Sequence, residues 1–359
     1  MPTVQFLGYQ LKTAQPLQNK NRYLGYNNPA IDIETRCRIF ADAALASSRH
    51  TSISPLATKI FVAPEFFFRG GSGGAYTLEQ IASINAILDN YLAHPSFRNW
   101  IFFLGTAVGA LPGQSGNESE IFNVALVRKG GVRVANGLER DTTLSQSKED
   151  AVLIYKEYIS EIDFLGENYG KLAQFHQGIR GKQAVLQGQT TLLKQVAGSR
   201  PGGNPDEAFR RTRQGLPAVS PLSDPSSEQS RSGLGGGSIF EMGGLRFVTE
   251  ICLDHRYNRA LDANPPNIDI HIVISCGMQP QYAITRSGGY LFSVDGFEFD
   301  PFNKVYLFKS QNRQVTPLKM GRYILMTDPK NWVHYKQDGK ALFANGRGAV
   351  SISPPQPLH

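Results

Sequence analysis

Cysteine is scarce: the 359-residue chain has three, Cys37, Cys252 and Cys276. An odd, sparse set does not make a disulfide framework, and no two stand in a CxxC pair for zinc, so a reducing compartment is the natural setting. Long apolar runs are missing too, and none approaches the roughly 20 residues needed to span a bilayer. The formal charge of +7 is spread along the chain with no run of five Lys or Arg, which argues against a nucleic-acid footprint. No spaced His/Cys/Asp set points to a metal. The glycines of GGSGG and GLGGG lack the strand–helix context of a phosphate loop. Neither metal nor cofactor is expected. The opening MPTVQFLGYQ has no basic n-region or cleavage site, which points to a cytoplasmic protein; a non-classical export signal would escape this test.

What the chain does have is an ordinary globular composition, 41% hydrophobic and 19% charged, with enough length to bury a substantial core. Residues 3–12 read as a strand. From Asp32 to Ser48, Ile33, Cys37, Phe40 and Ala44 recur at helical spacing. Lys59–Ala63 and Trp100–Val108 are continuous apolar strands of the kind found in sheets covered on both faces. Between them Thr77 and Gln80 form a capping box for a helix over Leu78–Tyr91. Ile121–Val127 and Val132–Asn136 read as a hairpin, Ala151–Ile159 as a strand, and 166–197 as broken helix. In the segment 199–238, 20 of the 40 residues are Gly, Pro or Ser. Such a stretch buries too little apolar area to offset its ordering entropy, so it is read as a surface insertion in a single domain of residues 1–350. Strands follow at Ser238–Phe240, Arg246–Ile251, Ile268–Ser275, Tyr290–Val294, Val305–Lys309 and Arg322–Met326, with a polar, proline-rich tail over 351–359. The class is α/β.

Three ionisable residues stand in or just past apolar strands: Glu65 in KIFVAPEFFFRG, Lys156 in AVLIYKEYIS and Cys252 in RFVTEICLDHR. Strand ends are where α/β proteins place their chemistry, and the ends of separate strands can converge on one rim. Carboxylate, ammonium and thiol suit attack on a carbon bonded to nitrogen. A nearby cation such as Lys156 favours the nucleophilic thiolate of Cys252. Glu65 can take the thiol proton and later pass it to the leaving nitrogen, with Phe66, Phe67 and Phe68 desolvating it and raising its pKa. The oxyanion would be held by Lys156 and the backbone N–H of Leu253. Phe66, Leu253, Asp254, His255 and Arg256 are the candidate substrate contacts, with Asp254 and Arg256 expected to form an ion pair that shapes the turn. Taken singly, each of the three has a plain structural explanation: a solvated loop carboxylate, an edge-strand lysine, a core cysteine.

The strings together resemble the nitrilase, or carbon–nitrogen hydrolase, superfamily. Pro64-Glu65-Phe66 matches its Glu motif, Tyr155-Lys156 its Lys motif, and Ile251-Cys252-x-Asp254-x-Arg256 its Cys motif. Gln10, Asn123 and Val294-Asp295-Gly296 are smaller echoes. The resemblance implies a four-layer αββα sandwich, commonly paired through a second copy, and cofactor-free hydrolysis of small amide, nitrile or carbamoyl substrates. It also implies a second Glu near the lysine, for which Glu157, Glu161 and Glu167 compete and Glu161 is preferred. QPQYAITRSGGYLF is too short for the helix the family usually carries after the strand that follows the cysteine. Other readings are a binding protein that keeps the fold without catalysis, an acyl- or amidotransferase using the same thiol, and a Cys–His hydrolase drawing on His255 or His271. Cys276 has no acid–base motif beside it and reads as structural.

Overall fold

The computed structural model describes residues 2–14, 25–26, 28–69, 76, 78–112, 119–134, 150–156, 238–256, 258–311, 314–326, 342–343 and 346–358. The capping residue Thr77, the carboxylates Glu157, Glu161 and Glu167, the segment 166–197 and all but the last residue of 199–238 lie outside these.

Two sheets carry the molecule. The first contains β1 (Thr3–Gln10), β2 (Thr58–Val62), β3 (Trp100–Pro112), β4 (Ser119–Lys129) and β5 (Ala151–Tyr155) as neighbours in that order. The second runs from β6 (Ile239–Met242) through β7 (Leu245–Ile251), β8 (Ile270–Ser275), β9 (Tyr290–Asp295) and β10 (Val305–Gln311) to β11 (Gln314–Leu318). β12 (Arg322–Leu325) and β13 (Ala349–Ile352) return to the first sheet beside β1, and β14 (Gln356–Pro357) also pairs with β1. In the second sheet β7, β8 and β9 are parallel.

Side-chain alternation explains the layering. In β1–β3 the residues Val4, Phe6, Ile60, Val62, Ile101 and Phe103 enter one core, and Leu7, Tyr9, Phe61, Trp100 and Phe102 enter another. The first core lies between the sheets: Phe6 meets Phe292 with ring centroids 5.0 Å apart, and Phe103 meets Phe247 at 5.7 Å. The second lies under α1 (Pro29–Ser48) and α2 (Leu78–Leu92), which supply Ile33, Cys37, Phe40, Ile81, Ile84 and Leu88. Cys37 is thus a packing residue. α1 begins three residues before the periodicity does, because Asn28 caps it by accepting from the N–H groups of Ala30 and Ile31 and Pro29 sits in its first turn. On the far face of the second sheet, Val248 packs with Ala260, Ile268 and Ile284. The helical pieces there are short, α3 (Leu253–Arg256) and α4 (Arg259–Ala263). The order is helix, sheet, sheet, helix, the expected αββα sandwich with a thin fourth layer.

The sequence reading leaves out α3, α4 and β11, and it differs at two further places. Residues 132–134 form no strand; β4 pairs with β5 instead, and Val134 is held by its N–H on Asp89 Oδ1 at 3.0 Å. The tail beginning at Ser351 is inside the structure: Ser351 and Ile352 are the last residues of β13, and Leu358 is buried. Four residues of strand are too few for a period to show, and neighbours hundreds of positions away decide the matter. Among the described residues no helix is long and apolar enough to cross a membrane.

Candidate active site

Glu65 is delivered by a shaped turn. β2 ends at Val62, and the chain then zips against β3 across a bulge, Phe66 N–H donating to Thr106 Oγ1 at 2.9 Å and Phe68 N–H to the Thr106 carbonyl at 2.9 Å. Gly105 makes the bulge workable. Its φ is +78°, and a β-carbon there would stand 2.3 Å from the Pro64 carbonyl oxygen. Phe66 itself takes a φ of 62°. From the helix side Arg36, paired with Asp32 at 2.6 Å, donates to the Phe67 carbonyl at 2.7 Å.

The carboxylate that results is fully buried. Glu65 Oε1 accepts from Lys156 Nζ at 2.8 Å and from Asn123 Nδ2 at 3.0 Å, and neither side chain of the ion pair is exposed. Lys156 follows β5 directly and is fixed at the backbone by its N–H on the Asn123 carbonyl at 2.9 Å. Asn123 therefore sets both partners, through its carbonyl and its amide. Of the three phenylalanines, Phe66 lies at the ion pair, with Lys156 Nζ 5.9 Å and the Arg69 guanidinium 4.5 Å from its ring centroid. Phe67 and Phe68 point the other way, into the helix–sheet core with Tyr9 and Phe40.

Cys252 occupies the end of β7, its N–H donating to the Ile274 carbonyl at 2.9 Å on neighbouring β8. The strand ends of both sheets meet there. The Gly296 N–H after β9 donates to the Ser275 carbonyl at 2.9 Å, and the Gly296 carbonyl accepts from Thr13 N–H at 2.8 Å. A β-carbon on Gly296 would stand 3.0 Å from Pro64. Gln10 Nε2 donates to the carbonyls of Asp295, at 3.1 Å, and Glu298. Cys276, next along β8, feels Glu65: burial foremost, then the charges of Glu65 and Asp295, push its thiol well up. Glu65 and Lys156 touch, and Cys252 follows β7, the strand beside the one that leads into Cys276.

The remaining candidates divide. Leu253 is half-buried and opens α3, whereas Arg256 is exposed. Asp254 is buried and pairs with Arg259 at 3.0 Å, in place of the expected Arg256. His255 is buried with both ring nitrogens engaged, Nδ1 at 2.6 Å from Glu250 Oε2 and Nε2 accepting from Gln281 N–H at 2.8 Å. Both ring nitrogens of His255 have partners within the protein, so a Cys–His hydrolase has no base in His255. Sequence reasoning passed over Asn123 as a partner of Glu65, although it was visible as an echo of register, and passed over Glu250 altogether. Among the described residues Glu250, His255 and His271 offer ligand atoms within 4.8 Å of one another. A groove of about 730 Å³ between β11 and β12, lined by Tyr306, Phe308, Met320 and Tyr323, holds none of the three candidate catalytic residues.

By sequence, no family model and no curated protein matches the chain. By structure, it is similar to a carbon–nitrogen hydrolase from Helicobacter pylori, at 10% identity and a TM-score of 0.40, over 88% of this chain and 86% of that one. A carbon–nitrogen hydrolase superfamily protein from Xanthomonas campestris matches at 11% identity and a TM-score of 0.33, over 89% and 90% of the two chains. Glutamine-dependent NAD+ synthetase from Acinetobacter baumannii matches at 10% identity and a TM-score of 0.38, over 88% of this chain; the chain spans 43% of that longer protein.

Proposed function

We propose that the chain is a thiol-dependent carbon–nitrogen hydrolase of nitrilase type, acting on a small amide, nitrile or carbamoyl compound through a thioester on Cys252. The observation that carries this reading is the buried ion pair of Glu65 and Lys156, held by Asn123, on the rim where β7 ends in Cys252. A lysine and a glutamate enclosed together are costly for stability alone, since desolvation offsets most of their attraction. A proton-transfer role explains what a structural role does not.

In this reading the Cys252 sulfur attacks the substrate carbon and its proton passes to Glu65. The carbonyl π electrons move onto oxygen, which the Lys156 ammonium and the Leu253 N–H stabilise. Glu65 returns the proton to nitrogen, the carbon–nitrogen bond breaks, and the amine leaves. Water then attacks the thioester, giving its proton to Glu65, and thiol and acid are released. A nitrile would first add the thiol as a thioimidate, which takes up water and loses ammonia to give the same thioester. Glu161 is the proposed second acid beside Lys156, and Phe66 the apolar wall that keeps solvent from the pair. Any pairing with a second copy belongs to the same proposal.

The test is a panel of amides, nitriles and N-carbamoyl compounds screened for ammonia release, with intact-mass analysis during turnover. A substrate acyl adduct confined to Cys252, absent in C252A and in E65Q, is the expected result. Turnover that survives C252A would end the proposal.

A further inference from the structure

A second buried carboxylate lies two residues before the thiol, and the proposed chemistry makes no use of it. Along β7, Phe247 and Ile251 enter the core between the sheets, and Val248 faces the outer layer. Glu250 shares the face of Val248, and unbroken alternation would send Cys252 the same way. Instead Cys252 has a φ of 49° and packs in the inter-sheet cluster. A residue with a side chain stays in the left-handed region only where its surroundings over-determine it.

Those surroundings converge on Glu250. Oε1 accepts from the Ala260 N–H at 2.7 Å and from the Tyr282 hydroxyl at 2.8 Å. Oε2 lies 2.6 Å from His255 Nδ1 and 2.9 Å from His271 Nε2. On their far sides both rings meet backbone donors: Gln281 N–H reaches His255 Nε2 at 2.8 Å, and Ile284 N–H reaches His271 Nδ1 at 3.2 Å. A nitrogen that accepts there carries no proton, so each ring bears its single proton toward Glu250. This polarity argues against a metal at the trio. A metal-bound histidine donates its other N–H outward, and both outward positions here already face donors. Burial pushes His271 down, in keeping with a neutral ring, although its hydrogen bond to Glu250 acts against this. For Glu250 burial acts upward, but His255 and His271 outweigh it and hold the carboxylate well below its usual range.

We infer that Glu250 is a positioning residue for Cys252, with His255, His271 and Tyr282 acting through it to hold the left-handed turn that swings the thiol back to the catalytic rim. His255 lies in α3, just after Cys252, and Ala260 lies in α4, so one carboxylate holds both short helices. His271, from β8, and Tyr282 fix the carboxylate in return. The consequence for catalysis rests on the reading of Cys252 as nucleophile. The geometric claim does not.

The test is the alkylation rate of Cys252 by a neutral haloacetamide, read peptide by peptide in the full chain, for wild type, E250Q, H255A and H255N. Asparagine places its amide nitrogen near the position of histidine Nδ1 and so keeps the donor to Glu250. The rate at Cys252 is expected to change about tenfold or more in E250Q and H255A, with most of the change reversed in H255N. On a hydrolysed substrate kcat falls while KM holds. Unchanged Cys252 rates in folded H255A, or equal impairment of H255A and H255N, would overturn the inference, as would stoichiometric zinc bound by wild type and lost in E250Q. Should E250Q fail to fold, the H255A and H255N pair decides alone. If C252A hydrolyses substrate as well as wild type, the nucleophile assignment fails, and the alkylation rates still decide the positioning claim.

Discussion

Two buried carboxylates stand at strand ends in this protein and are held in opposite ways. Glu65 takes its two named contacts, Lys156 and Asn123, on one oxygen, and both come from side chains. Glu250 takes four donors spread over both oxygens, one of them a backbone amide and two of them imidazoles locked from behind by backbone N–H groups. A carboxylate has about four lone-pair sites, and those of Glu250 are filled. It can orient neighbours but has no capacity left to accept a substrate's proton. Glu65 is paired with the Lys156 ammonium, which can stabilise a developing oxyanion while the carboxylate gains a proton. Burial alone therefore does not mark a catalytic acid. What marks Glu250 is a filled donor set, one donor being a backbone amide and two being rings held from behind by backbone N–H groups.

The sharpest way to break this contrast is at Glu65. E65Q keeps the shape and an acceptor for Lys156 but cannot shuttle a proton, and kcat/KM should fall about 10²–10⁴-fold. A smaller loss, measured by ammonia release, would place Glu65 with Glu250 as framework. K156M removes the buried cation and leaves a carboxylate without its counter-charge, which costs about 3–5 kcal/mol in urea unfolding. Native-like stability in K156M would show that Glu65 is neutral in the folded protein. A step smaller is G105A, where a φ of +78° and contact with the Pro64 carbonyl make any side chain strained. A loss of roughly 1–3 kcal/mol is expected from the backbone alone, together with reduced turnover as the Glu65 turn shifts. Unaltered activity in G105A would mean that the turn is not what places the carboxylate.

Much of the fold was legible because its cores are written in alternation. Strands such as Lys59–Ala63 are apolar on both faces, which demanded a sheet covered on each side. The strings around Glu65 and Cys252 also marked strand ends correctly. The conformation at those ends was not legible. Nothing in Ile251-Cys252-Leu253 says that Cys252 adopts a positive φ, since that depends on His271 and Tyr282 from elsewhere in the chain. Sequence spacing favours Arg256 as the partner of Asp254, but the short helices bring Arg259 to it. Proximity in sequence misled in PEFFF as well, where only Phe66 covers the ion pair because the turn reverses the side-chain directions. β13 escaped notice because its partners, β1 and β12, are what make Ala349–Ile352 a strand.

The gentlest probe of the contrast is pH, because the framework carboxylate brings titratable partners with it. His271 sits below its ordinary value of 6.5, pushed down by burial and only partly held up by Glu250; His255 and Tyr282 face the same carboxylate. Between that lowered value and 6.5 the unfolded chain binds a proton that the native ring does not. Stability must therefore fall as pH drops through this window, by at most about 1.4 kcal/mol per unit for one site. Glu250, also lowered, contributes stability that is present above its ordinary 4.5 and is lost only at more acidic pH. As pH falls the histidine loss begins first, below 6.5, and the Glu250 loss begins below 4.5. Urea unfolding from pH 7 to 5 should show the first decline in wild type and a flatter line in H271Q, whose side chain keeps a donor for Glu250 but cannot titrate. Equal slopes in the two proteins would mean that His271 takes up its proton in the native state. In that case the Ile284 amide does not hold the ring neutral, and the hub around Glu250 is looser than its hydrogen bonds imply.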